Sequence, residues 1–551
     1  MKTFKNLKYI GLLAIAVSLT ACNDEEDFEE FLDEQPQPTV VLPALNAGSV
    51  DFSNYVALGA SFTAGFTDGG LFIASQENSF PNTLAKQFAN AGGGTFTQPL
   101  MSDNYGGLAL GGSRIQDPRL VFGGAGPIPL EDAIGPVTVG TDLLSPPTGP
   151  FNNVGVPGAK SFHMIAPGYG NLANLSAGLA NPYAVRLTGA TPDASMLELA
   201  AAQNPTFFTL SEVGGNDVLG YATTGGDGTN PITPNATFDF ALNTIVNALT
   251  SNGAKGAIGN LPDITSLSHF TTVPYNPLDP SNPDFGPQIP LLNSIFGALN
   301  PIFNAVDPAR VIVFSETEAS AVVIKDETLA DISGIIIAQL NASATFPAFI
   351  AQFGLPPAAA PLVANLLGNT YGQTRQAIEE DLVNNIKGDL LVLPSSSVIG
   401  TVNTTNVGIL MGQGLPQALA GQFSVEGITL PLEDKWVLLP SEQLEIANAT
   451  ATYNASISAI ASAKGLALVD LNSILTQATT TGVQFDSYNL DTRLVFGGLV
   501  SLDGIHLTAR GYALMANSFL DAIDTTYGSN FRASGNVAKA DDFGVNYSPQ
   551  L

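Results

Sequence analysis

From about residue 50 onward the chain alternates short apolar runs with stretches punctuated by Gly and Pro. Residues 55–59 (YVALG), 206–213 (TFFTLSEV), 255–261 (KGAIGNL), 310–314 (RVIVF) and 466–471 (LALVDL) are largely apolar over a strand's length. Strands that are apolar on both faces suit a parallel sheet buried between helices. Elsewhere the period lengthens. Ile446, Thr450, Tyr453, Ile457 and Ile460 recur every three or four residues, as do Tyr512, Met515, Phe519 and Ile523, which predicts two amphipathic helices. The alternation predicts an α/β fold, a three-layer α/β/α sandwich around a mostly parallel sheet with right-handed crossovers.

Two stretches rich in Gly, Pro, Ala, Asn and Thr interrupt this alternation, at about 91–150 and 316–440, and read as insertions. Within the second, residues 329–340 and 370–386 carry helix-like patterns, which suggests a small cap. Pockets in open sheets lie outside the carboxyl ends of the strands, so such insertions are placed to shape access to a site. Residues 528–551 form a tail without clear periodicity.

Composition narrows the function classes. The 551 residues include 45% hydrophobic positions, enough for a sizeable core, but only 12% charged ones. The net charge of −29 repels phosphate backbones and excludes nucleic acid as a natural partner. The single cysteine, Cys22, has no partner for an intramolecular disulfide. Lys2, Lys5 and Lys8 precede an apolar run at 9–19, the layout of a secretory signal. That run is shorter than the roughly 20 residues a spanning helix needs. Leu19, Thr20, Ala21 and Cys22 resemble the lipobox of bacterial lipoproteins, which implies cleavage after residue 21 and lipidation of Cys22. An acidic segment follows, with Asp24, Glu25, Glu26 and Asp27 at its head, and with Pro36, Pro38 and Pro43 it predicts an extended tether over 22–50. An acidic patch behind a lipidated cysteine resembles the signal that sends some Gram-negative lipoproteins to the cell surface. The expected location is therefore the cell envelope, anchored to the outer membrane.

Ester hydrolysis by covalent catalysis needs an activated hydroxyl, a base, a group that orients the base and donors for an oxyanion. Ser61 stands in the turn just past the run at 55–59, flanked by Gly59 and Gly65. The spacing is not the GxSxG of the α/β-hydrolase elbow. Among three histidines, His506 has a carboxylate three residues before it, Asp503, and directly precedes a predicted helix. His163 and His269 lack so close a carboxylate and read as structural or substrate-lining. Asn216, in Gly214-Gly215-Asn216-Asp217, emerges after the run at 206–213, and the turn around Gly155 offers a backbone N–H.

The ordered motifs GxSxTxG from Gly59, NxGxxGA from Asn153, GGND from Gly214 and DGxH from Asp503 resemble the four signature blocks of the SGNH (GDSL-like) hydrolases, in the bacterial lipoprotein branch. Position by position, the resemblance implies Ser61 as nucleophile, Asp503 and His506 as the orienting carboxylate and base, and Ser61, Gly155 and Asn216 as oxyanion donors. Ala60 departs from the family's frequent Asp before the serine. The hydrolase domain is expected over 51–527, after a signal peptide at 1–21.

The expectation is a serine esterase or lipase without cofactor or metal, cleaving a small-molecule, lipid or acylated-glycan ester through an acyl-enzyme. The competing expectation is a non-catalytic, surface-displayed lipoprotein that binds a glycan or another partner. A metal-dependent hydrolase is disfavoured by the scattered histidines. Phe62, Phe66, Leu71 and Phe72 lie close enough in sequence to Ser61 to line an acyl pocket, although core packing explains them equally well.

Overall fold

The computed structural model describes residues 41–384 and 386–551. The signal segment, Cys22 and the tether as far as residue 40 lie outside the described residues. The fold below is built from Leu45–Arg532 and Asn536–Leu551.

Its centre is a five-stranded, all-parallel sheet, so the protein is α/β. The strands are β1 (Tyr55–Gly59), β2 (Asn153–Gly155), β3 (Phe207–Ser211), β4 (Lys255–Gly259) and β5 (Ala467–Val469), in the spatial order β5-β4-β3-β1-β2. The register runs Tyr55 opposite Phe207 to Gly59 opposite Ser211, with Gly59 also opposite Gly155. The strand order reverses between β1 and β3, and in doubly wound sheets that switch point opens a crevice at the strands' carboxyl ends.

The two-residue alternation of each strand divides it between two cores. Val56, Leu58, Phe208, Leu210 and Ile258 enter one core. Tyr55, Ala57, Phe207, Ala257 and Val469 enter the other. The helices used below are α1 (Ser61–Ala64), α2 (Phe80–Ala89), α3 (Met196–Ala201), α4 (Gly215–Thr223), α5 (Asn235–Thr250), α6 (Pro440–Lys464), α7 (Leu471–Thr480) and α8 (Ala509–Tyr527). Leu242, Ile245, Tyr453 and Ile457 bring α5 and α6 into the first core. Phe80 and Phe88 of α2 join Tyr512, Met515 and Phe519 of α8 in the second. The Phe80 and Phe519 rings stack at 5.0 Å. Complete burial of such a side chain contributes about 1.5–3 kcal/mol.

A third core gathers buried side chains from residues 273–439, between β4 and β5, and so starts upstream of position 316. Two sequence expectations fail inside it. Residues 310–314 do not form a strand. Side-chain amides satisfy their backbone instead: Asn300 bonds both N–H and C=O of Ile312, and Asn293 does the same for Phe314. The helix expected over 370–386 is also absent. The helix Ala360–Tyr371 stops there, and Thr374–Gln376 pairs antiparallel with Val323–Lys325. That strand delivers Arg375 between the buried Asp326 and Asp389, at 2.6 and 2.5 Å. An unpaired buried charge is costly, so this long-range pairing outweighs the local helical period. No single helix among the described residues is long and apolar enough to cross a membrane.

Candidate active site

Ser61 is the first residue of α1, which begins one residue after β1 ends. Its side chain is buried, and its hydroxyl donates to Glu212 Oε1 at 3.4 Å. The other Glu212 oxygen accepts the N–H groups of Phe62 and Thr63 at 2.8 and 3.2 Å. Glu212 thus caps the amino end of the serine's helix, where exposed N–H groups favour an anion. It does so from a left-handed backbone conformation, φ 56°. A non-glycine residue held there stores strain, a feature that clusters at functional sites. Burial pushes its carboxyl pKa up, opposed by the Phe62 N–H and the nearby His506. Sequence reasoning passed over Glu212 by reading it as part of the strand. Its signal was the one carboxylate in an otherwise uncharged run.

The Asp503 and His506 side chains meet as the DGxH spacing implies. Asp503 Oδ2 lies 2.9 Å from His506 Nδ1. Asp503 Oδ1 accepts the N–H of Ile505 and of His506, at 2.9 and 2.8 Å, folding the loop around the carboxylate. Burial opposes the charge of Asp503, but the adjacent imidazole and these donors outweigh it and hold its pKa well below the usual carboxylate range. A second loop buttresses the first. Gly69 N–H donates to Asp503 Oδ2 at 2.8 Å, while Asp68 Oδ1 accepts Leu502 N–H at 3.0 Å.

Asp68 is buried, and that burial pushes its pKa up to about 7, against the Leu502 N–H. An acid whose folded pKa is raised stabilises the fold fully only below its unfolded value near 3.8, and that contribution is lost as pH rises through about 7. Between pH 4 and 7 the wild type should therefore lose up to about 1.4 kcal/mol per pH unit relative to Asp68→Asn. Urea midpoints of the two proteins across that range test this. Parallel curves would refute the assignment.

Asn216 lies in the first turn of α4, after β3, and its Nδ2 donates to Ala159 O at 3.0 Å. The next residue, Asp217, accepts the N–H and hydroxyl of Ser161 at 2.8 and 2.7 Å. GGND thereby grips the 156–161 turn. Gly155 requires a correction. It is the last residue of β2, its N–H is already donated to Asn153 Oδ1 at 3.0 Å, and a Cβ there would stand 2.3 Å from Ala64 N. Gly155 is glycine because α1 packs directly on it, and its N–H is not free for an oxyanion. Gly158, three residues on, is exposed at φ 79°, and its N–H has no partner among the described residues.

One cavity collects these groups. Ser61, Glu212, Asn216 and His506 all line it. No Ser61–His506 hydrogen bond is formed; the hydroxyl is turned to Glu212. Catalytic hydrogen bonds of free enzymes commonly tighten only with substrate bound. Phe66 and Phe62 flank the imidazole, with ring centroids 4.7 and 5.9 Å away. Leu71 and Phe72 are fully buried and line no part of this cavity. His163 stacks on Tyr169 at 4.4 Å, and burial pushes its pKa down to about 4. His269 is buried against the Asp503–His506 loop, its backbone N–H donating to Gly504 O at 2.9 Å. Carboxylate oxygens of Glu327, Asp434 and Glu442 gather within 4.8 Å of one another, but none of the three lines the Ser61 cavity.

No protein-family model, curated protein or solved structure matches the chain.

Proposed function

We propose that the protein is a serine esterase of the SGNH type, with the three-layer sandwich of that family. The observation that carries this reading is that Ser61, Asn216 and the Asp503-oriented His506 line a single cavity. Ser61 Oγ attacks the acyl carbon while His506 takes its proton and passes it to the departing alkoxide. A water molecule, deprotonated by the same imidazole, then releases the carboxylic acid and restores the serine. Asp503 holds the Nδ1 proton and stabilises the imidazolium. For the reaction to start, the Ser61 hydroxyl leaves Glu212 and donates to His506.

The oxyanion is held by the Ser61 N–H, the Asn216 amide and, in place of Gly155, the Gly158 N–H. Asn216 Nδ2 has two hydrogens, so the bond to Ala159 leaves one for substrate. Asn216→Ala is expected to lower kcat on p-nitrophenyl butyrate by about 10²–10³-fold while the protein remains folded. Unchanged turnover would overturn the assignment. The anchoring of this esterase to the outer membrane through a lipid on Cys22 belongs to the same proposal.

A further inference from the structure

We infer that the cavity beside Ser61 binds an unbranched acyl chain of about eight to twelve carbons, so the substrate is a medium-chain fatty acyl ester. The inference rests on the esterase reading for its chemistry, but it is carried by a separate feature, the shape and polarity of the cavity. Ser61, Glu212, Asn216 and His506 supply most of its polar lining. The rest of the wall is built by Leu219 of α4, by Leu261, Ile264 and Leu267 after β4, and by Ile474 and Leu475 of α7. Leu514 and Met515 of α8 close it. Asn260 is the one polar side chain in this part, and both ends of its amide are engaged, with Asp470 at 2.8 Å and the Asn472 N–H at 3.0 Å. With one amide among apolar side chains, this part of the wall offers the many hydroxyls of a glycan few partners, and a lone acetyl group would leave most of it uncovered.

The spacing of the strands sets the length. The lining follows the carboxyl ends of β1, β3, β4 and β5, which are consecutive in the sheet. Three inter-strand steps of about 4.8 Å make about 14 Å. An extended carbon chain, with bonds of about 1.5 Å at near-tetrahedral angles, advances about 1.3 Å per bond, so about eleven bonds cover that distance. The alcohol half of the ester meets none of this wall and stays on the outer side of Ser61 and His506.

The test has two arms. In the first, kcat/KM is measured on p-nitrophenyl esters from acetate to palmitate. It is expected to rise about threefold to fourfold per added methylene between butyrate and decanoate and to level or fall beyond dodecanoate. Ile474→Trp and Leu219→Trp narrow the cavity from different walls at half-buried positions, and each is expected to lower the decanoate-to-butyrate ratio at least about tenfold. In the second arm, sodium decanoate is titrated into the wild-type protein and both variants by calorimetry, with binding expected in the wild type and weakened in the variants. Hydrolysis that is flat or falling from acetate upward overturns the acyl pocket and leaves the esterase reading standing. If no ester is hydrolysed the esterase reading fails. Decanoate binding lost in both variants then upholds the pocket, and absent binding overturns it.

Discussion

Replacing Ser61 with Ala is expected to lower kcat on p-nitrophenyl esters by at least about 10⁴-fold. Among the described residues lining the cavity, Ser61 alone carries a hydroxyl, thiol or amine, so no neighbour offers a nucleophile of the same kind. The residual rate would come from the oxyanion donors and from substrate positioning, as in serine hydrolases stripped of their nucleophile. Stability should change by no more than about 1 kcal/mol, because the hydroxyl makes one long hydrogen bond, 3.4 Å to Glu212. A variant that unfolds, or one that retains more than a hundredth of the wild-type rate, would separate Ser61 from the chemistry.

Replacing Asp503 with Asn should cost about 10⁴-fold in kcat with the loop still formed. Asp503 does three jobs. Its Oδ1 organises the backbone through the Ile505 and His506 N–H groups, and its Oδ2 accepts from Nδ1 of His506 and from the Gly69 N–H. An asparagine can keep the first by presenting its carbonyl oxygen to the backbone, and gives up the Gly69 bond. Its NH₂ group then faces Nδ1, selects the other imidazole tautomer and directs the ring's proton toward Ser61, where a base is required. Combining Asp503→Asn with Ser61→Ala should cost little more than Ser61→Ala alone, since groups acting as one unit are not additive.

Much of this arrangement was legible before any coordinates, and the reasons differ by element. The strands at 55–59 and 255–259 and the helices at 440–464 and 509–527 were visible because each buries a complete face or both faces, leaving an uninterrupted apolar period. The strand Asn153–Gly155 escaped because its three residues are too few to show a period and because Asn153 uses its side chain to hold the Thr63 carbonyl at 2.8 Å. The apolar run at 310–314 misled because nothing local reveals that Asn293 and Asn300 supply what a neighbouring strand would. At the site, Asp503 and His506 were readable from a spacing of three, a local relationship. Gly155 was misassigned because the motif contains two glycines, and only the contact with Ala64 tells which one is buried. The apolar wall of the cavity could not be read at all. Its residues follow three strands and belong to helices that are remote from Ser61 in the chain, so Phe62 and Phe66 were the nearest sequence pointers, and these flank His506.

The most direct test of the catalytic claim is to locate a fluorophosphonate adduct by mass spectrometry of the intact and digested protein. One adduct per chain on Ser61 is expected, absent from Ser61→Ala and formed at least about 100-fold more slowly in His506→Ala. Label on any other residue, or an unlabelled protein after prolonged exposure, would contradict the account.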